Sequence, residues 1–580
     1  MNNLKKIYPI ITAIITIITF NLYGLFPSYN IISILLLFIL SLFYINNLKY
    51  NKQYRFILYI SILFSILLVL GNICSYNLYS KDVSILKEFF NPLNLFFIFG
   101  FFNLIYSILN FCIPRLVKIK IKSDKKIISS KKLFLILFLI LIICWLPYLL
   151  SLYPGTMSAD SMGEFYTAIK GTINSDHHTV LHMLIIIGTH RLANLFTNDL
   201  MMSLLIYSIV QMIVMSIILS LSVVFTYNKT KNKYFIIISM LYFGIMPIFG
   251  YYSVVMWKDI WYGIFMVLLT ICCYNVIYNE DDLKNKDLVL FGLASLLCIF
   301  SRNNGLYMYI MVGIASIFCC RKNLKKMGIV FGIVLTVFFI IKYPIYNTLN
   351  IERSGSSEYI GIPMQQIGRM AYKEIPFTKK EQEKISEIID YKVLKEAYNP
   401  TVSDGIKFNP NYHRYVFEKD KAGFLKLWLN MIRKHPTIAV ESYLISTLGY
   451  WYPNLKNSAY ENTIIDNNIG LKIKPKGSQA INKYVQFMGN KDLPIISNLW
   501  SIGLLVWIVI VSTYILIIRK NKKYVFAYIP IYGNLISILV ATPVHNEIRY
   551  VFSLYTCFTL LLLMPYFLDK GDNRIWKRKY

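Results

Sequence analysis

The sequence predicts an all-α polytopic membrane protein, with about fourteen transmembrane helices and one mainly helical extracytoplasmic domain. Three observations lead there. Hydrophobic residues make up 56% of the 580 and mean hydropathy is +0.51, more apolar surface than a soluble fold can hide. The apolar residues come in runs of roughly 18 or more, long enough to cross a hydrocarbon core of about 30 Å. Charged residues are only 16% of the chain and collect between those runs. Lipid cannot satisfy a bare backbone, so helices are the expected spanning elements.

The spans fall near residues 7–24, 30–46, 56–76, 93–113, 133–150, 201–226, 234–249, 259–278, 287–301, 305–320, 327–342, 497–518, 524–541 and 551–568. Met1 to Phe26 has a basic flank and an apolar run but no convincing small-residue cleavage site, so it reads as the first span and not as a removed signal peptide. Orientation follows from the short loops. Lys5-Lys6, Lys49 to Arg55, Arg115 to Lys132, Lys229 to Lys233, Arg321 to Lys326, Arg519 to Lys523 and Arg574 to Lys579 all fall on one side, together with the mixed loop Asn279 to Lys286. That side is expected to be the cytoplasm, with both termini in it. The net charge of +30 then reflects membrane orientation, and nucleic acid is not an expected partner. Val180 to Phe196 is moderately apolar but carries His182, His190 and Arg191. Crossing there would force Lys229 to Lys233 outside, so this stretch is expected to lie on the outer membrane surface.

Four regions follow. Residues 1–131 form a four-span N-terminal part, and 132–342 a membrane core with a large outer loop at 151–200. Residues 343–496, with half of the thirty acidic residues, form the extracytoplasmic domain. It shows helical patterns at Lys379 to Ala397 and Lys421 to Arg433. Residues 497–580 form a C-terminal membrane region with a basic cytoplasmic tail. The nine cysteines all lie in or beside apolar runs, which indicates no disulfide framework.

All seven histidines fall on the outer side. The first outer loop carries Tyr153-Pro-Gly-Thr-Met-Ser-Ala-Asp160-Ser161-Met-Gly-Glu164. An acid at the membrane surface can act as a base or bind a metal ion, although Asp160 could equally cap the helix that follows. The loop continues Asp176-His177-His178-Thr-Val-Leu-His182. His178 and His182 are four apart and share a helix face. That spacing permits a metal site, but no acidic third ligand is fixed by sequence, and a surface pair is the plainer reading. Lys258 and Asp259, after Trp257, sit at the mouth of a span, as catalytic groups or as an interfacial anchor. Arg302, in Ser301-Arg302-Asn303-Asn304-Gly305, opposes the positive-inside trend. It needs a partner, either an anionic ligand such as a lipid phosphate or an internal carboxylate. The last outer loop packs His545, Asn546, Glu547 and Arg549 between two apolar spans, a density that points to a site. Charge is nearly absent inside the spans, which argues against an ion-coupled transporter. No phosphate-cradling Gly-rich loop is present, which argues against nucleotide hydrolysis.

This pattern resembles the GT-C superfamily of membrane glycosyltransferases, and within it a bacterial polytopic membrane family with motifs like Tyr-Pro-Gly-Thr…Asp-Ser…His-His, Trp-Lys-Asp and Arg-Asn-Asn-Gly. The motifs cover roughly residues 133–345. The resemblance implies a GT-C-like core and a polyprenyl-phosphate-linked sugar donor. It also implies an envelope glycan, lipid or protein acceptor and a catalytic acid at Asp160. His177-His178-Thr-Val-Leu looks like the family's His-Pro-Pro-Leu-type helix start, with Thr179 in place of the first proline. Lys258, Arg302 and Arg549 are expected at the donor phosphate. Glu164, His177, His178, Asp259, Asn303, His545 and Glu547 are expected to support or bind substrate. Asp160 lacks the adjacent acid of several such families, which leaves a divalent metal ion open as cofactor. Aromatic residues such as Trp451 and Tyr452 are expected to cover the donor or bind the acceptor. Two other readings compete: a lipid or polysaccharide transporter, and a non-enzymatic membrane partner in envelope assembly.

Overall fold

The computed structural model describes residues 2–23, 31–124, 128–353, 360–456, 462–490, 493, 496–541 and 544–568. Helices occupy all fourteen expected span positions. Among the described residues eight of them are long and apolar enough to cross a membrane: Phe56–Tyr76, Pro92–Lys118, Ser130–Ser151, Leu200–Thr230, Lys258–Tyr278, Arg321–Thr348, Ile502–Arg519 and Lys522–Ala541. The others are shorter, among them Ile31–Asn47, Lys233–Ile245 and Gly305–Cys319. Among the described residues strand pairing is limited to isolated bridges.

The basic loops meet at one end of this bundle. Arg519 donates to the carbonyls of Ile119 (2.9 Å) and Pro565 (3.0 Å), and Lys523 reaches Glu280 at 2.7 Å. Lys322 pairs with Asp281 at 2.8 Å, and Asn232 bonds the Lys122 carbonyl. The Arg574 to Lys579 stretch lies outside the described residues. The opposite ends of the same helices carry Ser151, Leu200, Lys258 and Arg302.

Val180–Asn194 is a helix of 15 residues, about 22 Å long at 1.5 Å per residue, and it is not among the candidate spans or the shorter apolar helices. It packs His182, Met183, Ile186 and Ile187 inward and leaves Leu184 and Leu192 exposed.

Residues 360–446 fold into a separate helical layer. Its centre is Gly361–Tyr372, whose Met364, Ile367 and Met370 are buried among Ile389, Leu394, Phe424 and Met431. The helical pattern at 379–397 is two helices, Lys379–Ser386 and Tyr391–Ala397. Asp390 breaks it, because its side chain accepts from the Lys392 and Val393 amides as an N-cap. The layer docks on the N-terminal region through charge. Glu441, fully buried, faces Arg369 at 3.5 Å and Lys373 at 3.3 Å and accepts from Ser84. Arg369 and Lys373 also donate to the carbonyls of Leu78 and Val83.

Tyr452 does not reach the candidate site. Its ring is buried against Gly71, where a Cβ would sit 2.2 Å from the ring, and its backbone presses on Gly503. Its hydroxyl donates to Asn72. Trp451 follows it there, and its carbonyl accepts from the Trp507 indole. These aromatics fasten the 360–456 segment to two membrane helices.

Removing one partner of a buried ion pair strands the other charge. Glu441→Ala is therefore expected to cost about 3–5 kcal/mol. In detergent its thermal unfolding temperature should fall well below that of Lys395→Ala, which removes only an exposed partner of Glu374.

Candidate functional site

The loop after Ser130–Ser151 is held as the middle of three extended segments. Thr156 donates to Val254 and accepts from Met256, while Met157 donates to Thr463 and accepts from Ile465. Lys474 then closes on the Tyr153 carbonyl at 2.8 Å. This pairing brings the 153–157, 254–256 and 463–474 segments together, and it delivers the chain into the helix Ala159–Lys170. Ser158 accepts from the Trp257 indole at 2.9 Å, and the Ser161 hydroxyl donates to the Met256 carbonyl.

Asp160 and Glu164 are one turn apart and share a helix face, but their surroundings differ. The Asp160 side chain is 52% exposed and meets Arg549 Nη1 at 3.1 Å. It does not cap its helix, although an acid in the first turn still suits the helix dipole. The Glu164 side chain is 3% exposed. One of its oxygens faces His178 Nδ1 at 3.0 Å, and the other faces His182 Nδ1.

Behind Glu164 the polar chain continues. His182 Nε2 lies 2.7 Å from the Tyr207 hydroxyl, which donates to Gln211 Oε1 at 2.9 Å and accepts from the Trp261 indole at 2.9 Å. The Gln211 amide donates to the carbonyls of Tyr252 and Val255. Lys258 Nζ is 3.3 Å from His178 Nδ1. Burial works against the charge on Glu164, but the His182 and His178 imidazoles and the Lys258 ammonium outweigh it and hold the carboxyl well below its usual range. Glu164 is therefore a carboxylate.

Beside this brace lies a cluster of arginines. Arg302 Nε faces Asp259 at 3.2 Å, with both side chains buried. Its Nη1 donates to the Tyr550 carbonyl at 2.7 Å, and its guanidinium covers the Tyr550 ring. The anion expected at Arg302 is thus an internal carboxylate, and Asp259 is its partner. Arg549 differs. It bridges Asp160 and Glu547 (3.8 Å) and lies over the rings of Trp257 and Tyr550. Burial opposes its charge, but Tyr550, Glu547, Asp259 and Asp160 together raise its pKa.

The remaining expected residues sit around these two clusters. His177 is exposed and meets His178 edge-on at 4.8 Å. Asn303 reaches the Asp176 carbonyl at 3.5 Å, and Asp176 itself is buried in an ion pair with Lys342. His545 faces away from the clusters and supports the loop. Its Nδ1 lies 2.6 Å from the Ile445 carbonyl, its amide donates to Thr401, and its carbonyl accepts from Gly449.

An apolar groove of about 230 Å³ adjoins the site, lined by Val180, Leu181, Leu184, Leu297, Phe300 and Ile341 among others. Its walls run directly into polar residues. Val180 follows His178-Thr179, Phe300 precedes Ser301-Arg302, and Ile341 precedes Lys342. Tyr207, Gln211 and Trp261 escaped the sequence reading because they sit in apolar spans. The signal available was Tyr207-x-x-x-Gln211, a polar pair at helical spacing near the start of a long span.

Among the described residues no three His, Cys, Asp or Glu side chains are grouped to hold a metal ion. The two Glu164 oxygens each face an imidazole nitrogen, and Asp160 faces a guanidinium.

A family model described as "Family of unknown function (DUF6020)" matches residues 167–577. Asp160 and Glu164 lie just before that span, and the histidines, Lys258, Arg302 and Arg549 lie within it. No curated protein and no solved structure matches the chain.

Burial lowers the pKa of His545 below 6.5, against the opposing pull of the Ile445 carbonyl. The unfolded chain therefore takes up the proton first as pH falls. The loop's stability is complete above about pH 6.5 and is withdrawn as pH drops toward the folded value. Hydrogen exchange at the Gly449 and His545 amides, corrected for intrinsic rates, should speed up between about pH 7.5 and 5.5. In His545→Gln that pH dependence should vanish.

Proposed function

The chain belongs to the DUF6020 family, and we propose that this member is a GT-C-type glycosyltransferase. In this reading it moves a sugar from a polyprenyl-phosphate-linked donor to an envelope acceptor on the non-cytoplasmic face of the cell membrane. One observation carries the proposal. An apolar groove starts at Val180, two residues after His178, and the His178–Lys258 and Asp160–Arg549 contacts lie at the bundle end opposite the basic loops. An apolar chain ending in an anion and a polar head fits that sequence of surfaces. Positive-inside counting puts the basic end in the cytoplasm and these pairs outside it. The resemblance to GT-C enzymes, on Tyr-Pro-Gly-Thr, Asp160 and Trp-Lys-Asp, supports the same reading. An assembly partner without chemistry gives no reason for the Asp160–Arg549 and His178–Lys258 pairs to form.

The prenyl chain lies in the groove, and the donor phosphate meets Lys258 and Arg549. Arg302 is neutralised by Asp259 and acts by holding Tyr550 and the last loop in place. Cations at the phosphate offset the charge that develops as it leaves. A phosphate arriving at Arg549 competes with Asp160 for the guanidinium. It frees that carboxylate to orient the acceptor hydroxyl or take its proton. A single displacement then inverts the sugar carbon.

The test is transfer by the purified protein from polyprenyl-phosphate sugars. Asp160→Asn is expected to lower kcat by about 10²-fold or more. The lost ion pair is exposed on one side, so thermal stability should change by less than about 1 kcal/mol. Full activity in Asp160→Asn would sink its assigned role.

A further inference from the structure

A second cavity, of about 660 Å³, opens between the N-terminal helices and the rest of the bundle. One wall is Pro92–Lys118, through Ile105, Ile108 and Leu109, and the other is Ile502–Arg519, through Ile508 and Val511. The Phe64 ring bridges the two walls by stacking on Trp507 at 3.9 Å. Two polar side chains on the second wall are already bonded. Ser512 donates to the Leu561 carbonyl at 2.9 Å, and the Trp507 indole donates to the Trp451 carbonyl at 2.9 Å. Water here would find few partners, and the crevice is far larger than the voids that close packing leaves. It calls for an apolar occupant.

The depth of the crevice narrows the choice. From Ile105 to Leu116 it follows Pro92–Lys118 for about 16 Å at 1.5 Å per residue. That is about half of a hydrocarbon core of about 30 Å, the reach of the acyl chains of one leaflet.

Its mouth, at the basic end of the bundle, is cationic. Arg519 donates through Nη1 to the carbonyls of Leu116 (3.4 Å), Val117 and Ile119 (2.9 Å), and through Nε to that of Pro565. Its guanidinium lies 4.6 Å from the centre of the Tyr566 ring. Leu116, Ile119 and Tyr566 all line the crevice, so Arg519 stands at its edge. Nη2 bonds none of the described residues. Beyond the helix end the chain alternates Lys118-Ile119-Lys120-Ile121-Lys122. Ile119 and Ile121 line the crevice, and the three lysines are exposed. Among the described residues no carboxylate pairs with Arg519 or with these lysines. Four cations around the mouth of a crevice one leaflet deep are complementary to a phosphate on acyl chains.

We propose that this crevice is a binding site for one anionic phospholipid, with its acyl chains between the two walls and its phosphate at Arg519 and the 118–122 lysines. The lipid joins the N-terminal region to the C-terminal membrane helices. The site lies at the bundle end away from Asp160 and does not depend on the transferase reading.

The test is native mass spectrometry of the full chain in detergent, with equal amounts of phosphatidylglycerol and phosphatidylcholine of the same acyl composition. One phosphatidylglycerol should be retained per protein, at least about tenfold in preference to phosphatidylcholine. Arg519 caps Pro92–Lys118, so the charge is probed on the exposed lysines. Removing Lys118 and Lys120 together as alanines should weaken retention about fivefold for each lysine, and high salt should weaken wild-type retention. Ile508→Trp should fill the crevice and abolish retention. A second measurement needs no altered crevice volume. With phosphatidylglycerol brominated on its acyl chains, tryptophan quenching should saturate near one lipid per protein and be smaller in Trp507→Phe. Equal retention of the two phospholipids, unchanged retention in Ile508→Trp, or quenching that rises without saturating and is the same in Trp507→Phe would each overturn the proposal. So would displacement of the phosphatidylglycerol by an equal amount of polyprenyl phosphate.

Discussion

Burial of the Glu164 carboxylate is the constraint around which the site is built. A lone carboxylate taken out of water costs several kcal/mol, and only well-placed donors offset it. Here the donors come from different parts of the chain. His178 and His182 flank the start of Val180–Asn194, Tyr207 and Gln211 come from Leu200–Thr230, and Trp261 and Lys258 come from Lys258–Tyr278. Glu164 itself sits on Ala159–Lys170. Four helices are therefore fixed to one another through a single side chain. A shift of any one leaves a buried polar group unpaired, at roughly 1–3 kcal/mol each. That cost keeps Asp160, one turn away, facing Arg549.

The rest of the chain encloses this brace. The 463–474 segment pairs with the site loop from one side. The last loop is pinned to residues 401 and 445–449 through His545, so the position of Arg549 depends on the 360–446 layer. That layer is in turn anchored on the N-terminal region by Glu441 with Arg369 and Lys373, and by Tyr452 against Gly71. The N-terminal helices thus support the site at one remove. They hold the layer that holds the loop that carries Arg549.

Much of this was legible in the sequence, for identifiable reasons. Apolar runs mark helices strongly, so helices stand at all fourteen expected positions, although among the described residues eight of the helices are long and apolar enough to span by themselves. The charges in Val180 to Phe196 set it apart from the spans, and the structure forms a 15-residue helix there that is not among the apolar helices. Polar density in four loops marked residues that now pair with one another, Asp160 with Arg549, Glu164 with His178 and Asp259 with Arg302, and also His545, which supports its loop instead. Partner choice was not legible. Arg302 suits a phosphate or a carboxylate equally well, and only the approach of Asp259 decides between them. Tyr207 and Gln211 were hidden because one polar pair scarcely alters the hydropathy of a 31-residue helix. Asp390 ends one helical pattern and starts another through a cap that periodicity does not register. Tyr452 looked like a substrate aromatic, but the glycine that receives it lies almost 400 residues earlier.

Two carboxylates one helical turn apart with opposite surroundings imply a division of labour. Glu164 is buried, bonded on both oxygens and fixed in its charged form. It can neither meet a substrate nor accept a proton without breaking the brace. What it can do is impose an orientation and a charge on the imidazoles beside it. Asp160 is half exposed and held by one guanidinium that an incoming anion could claim. A carboxylate in that position can change partner during a reaction cycle at small cost. Environments that differ this much on neighbouring acids are how a single helix face supplies both a rigid element and a responsive one. The sequence spacing Asp160-x-x-x-Glu164 put the two acids on one face, and the depth of each beneath the surface gave them different work.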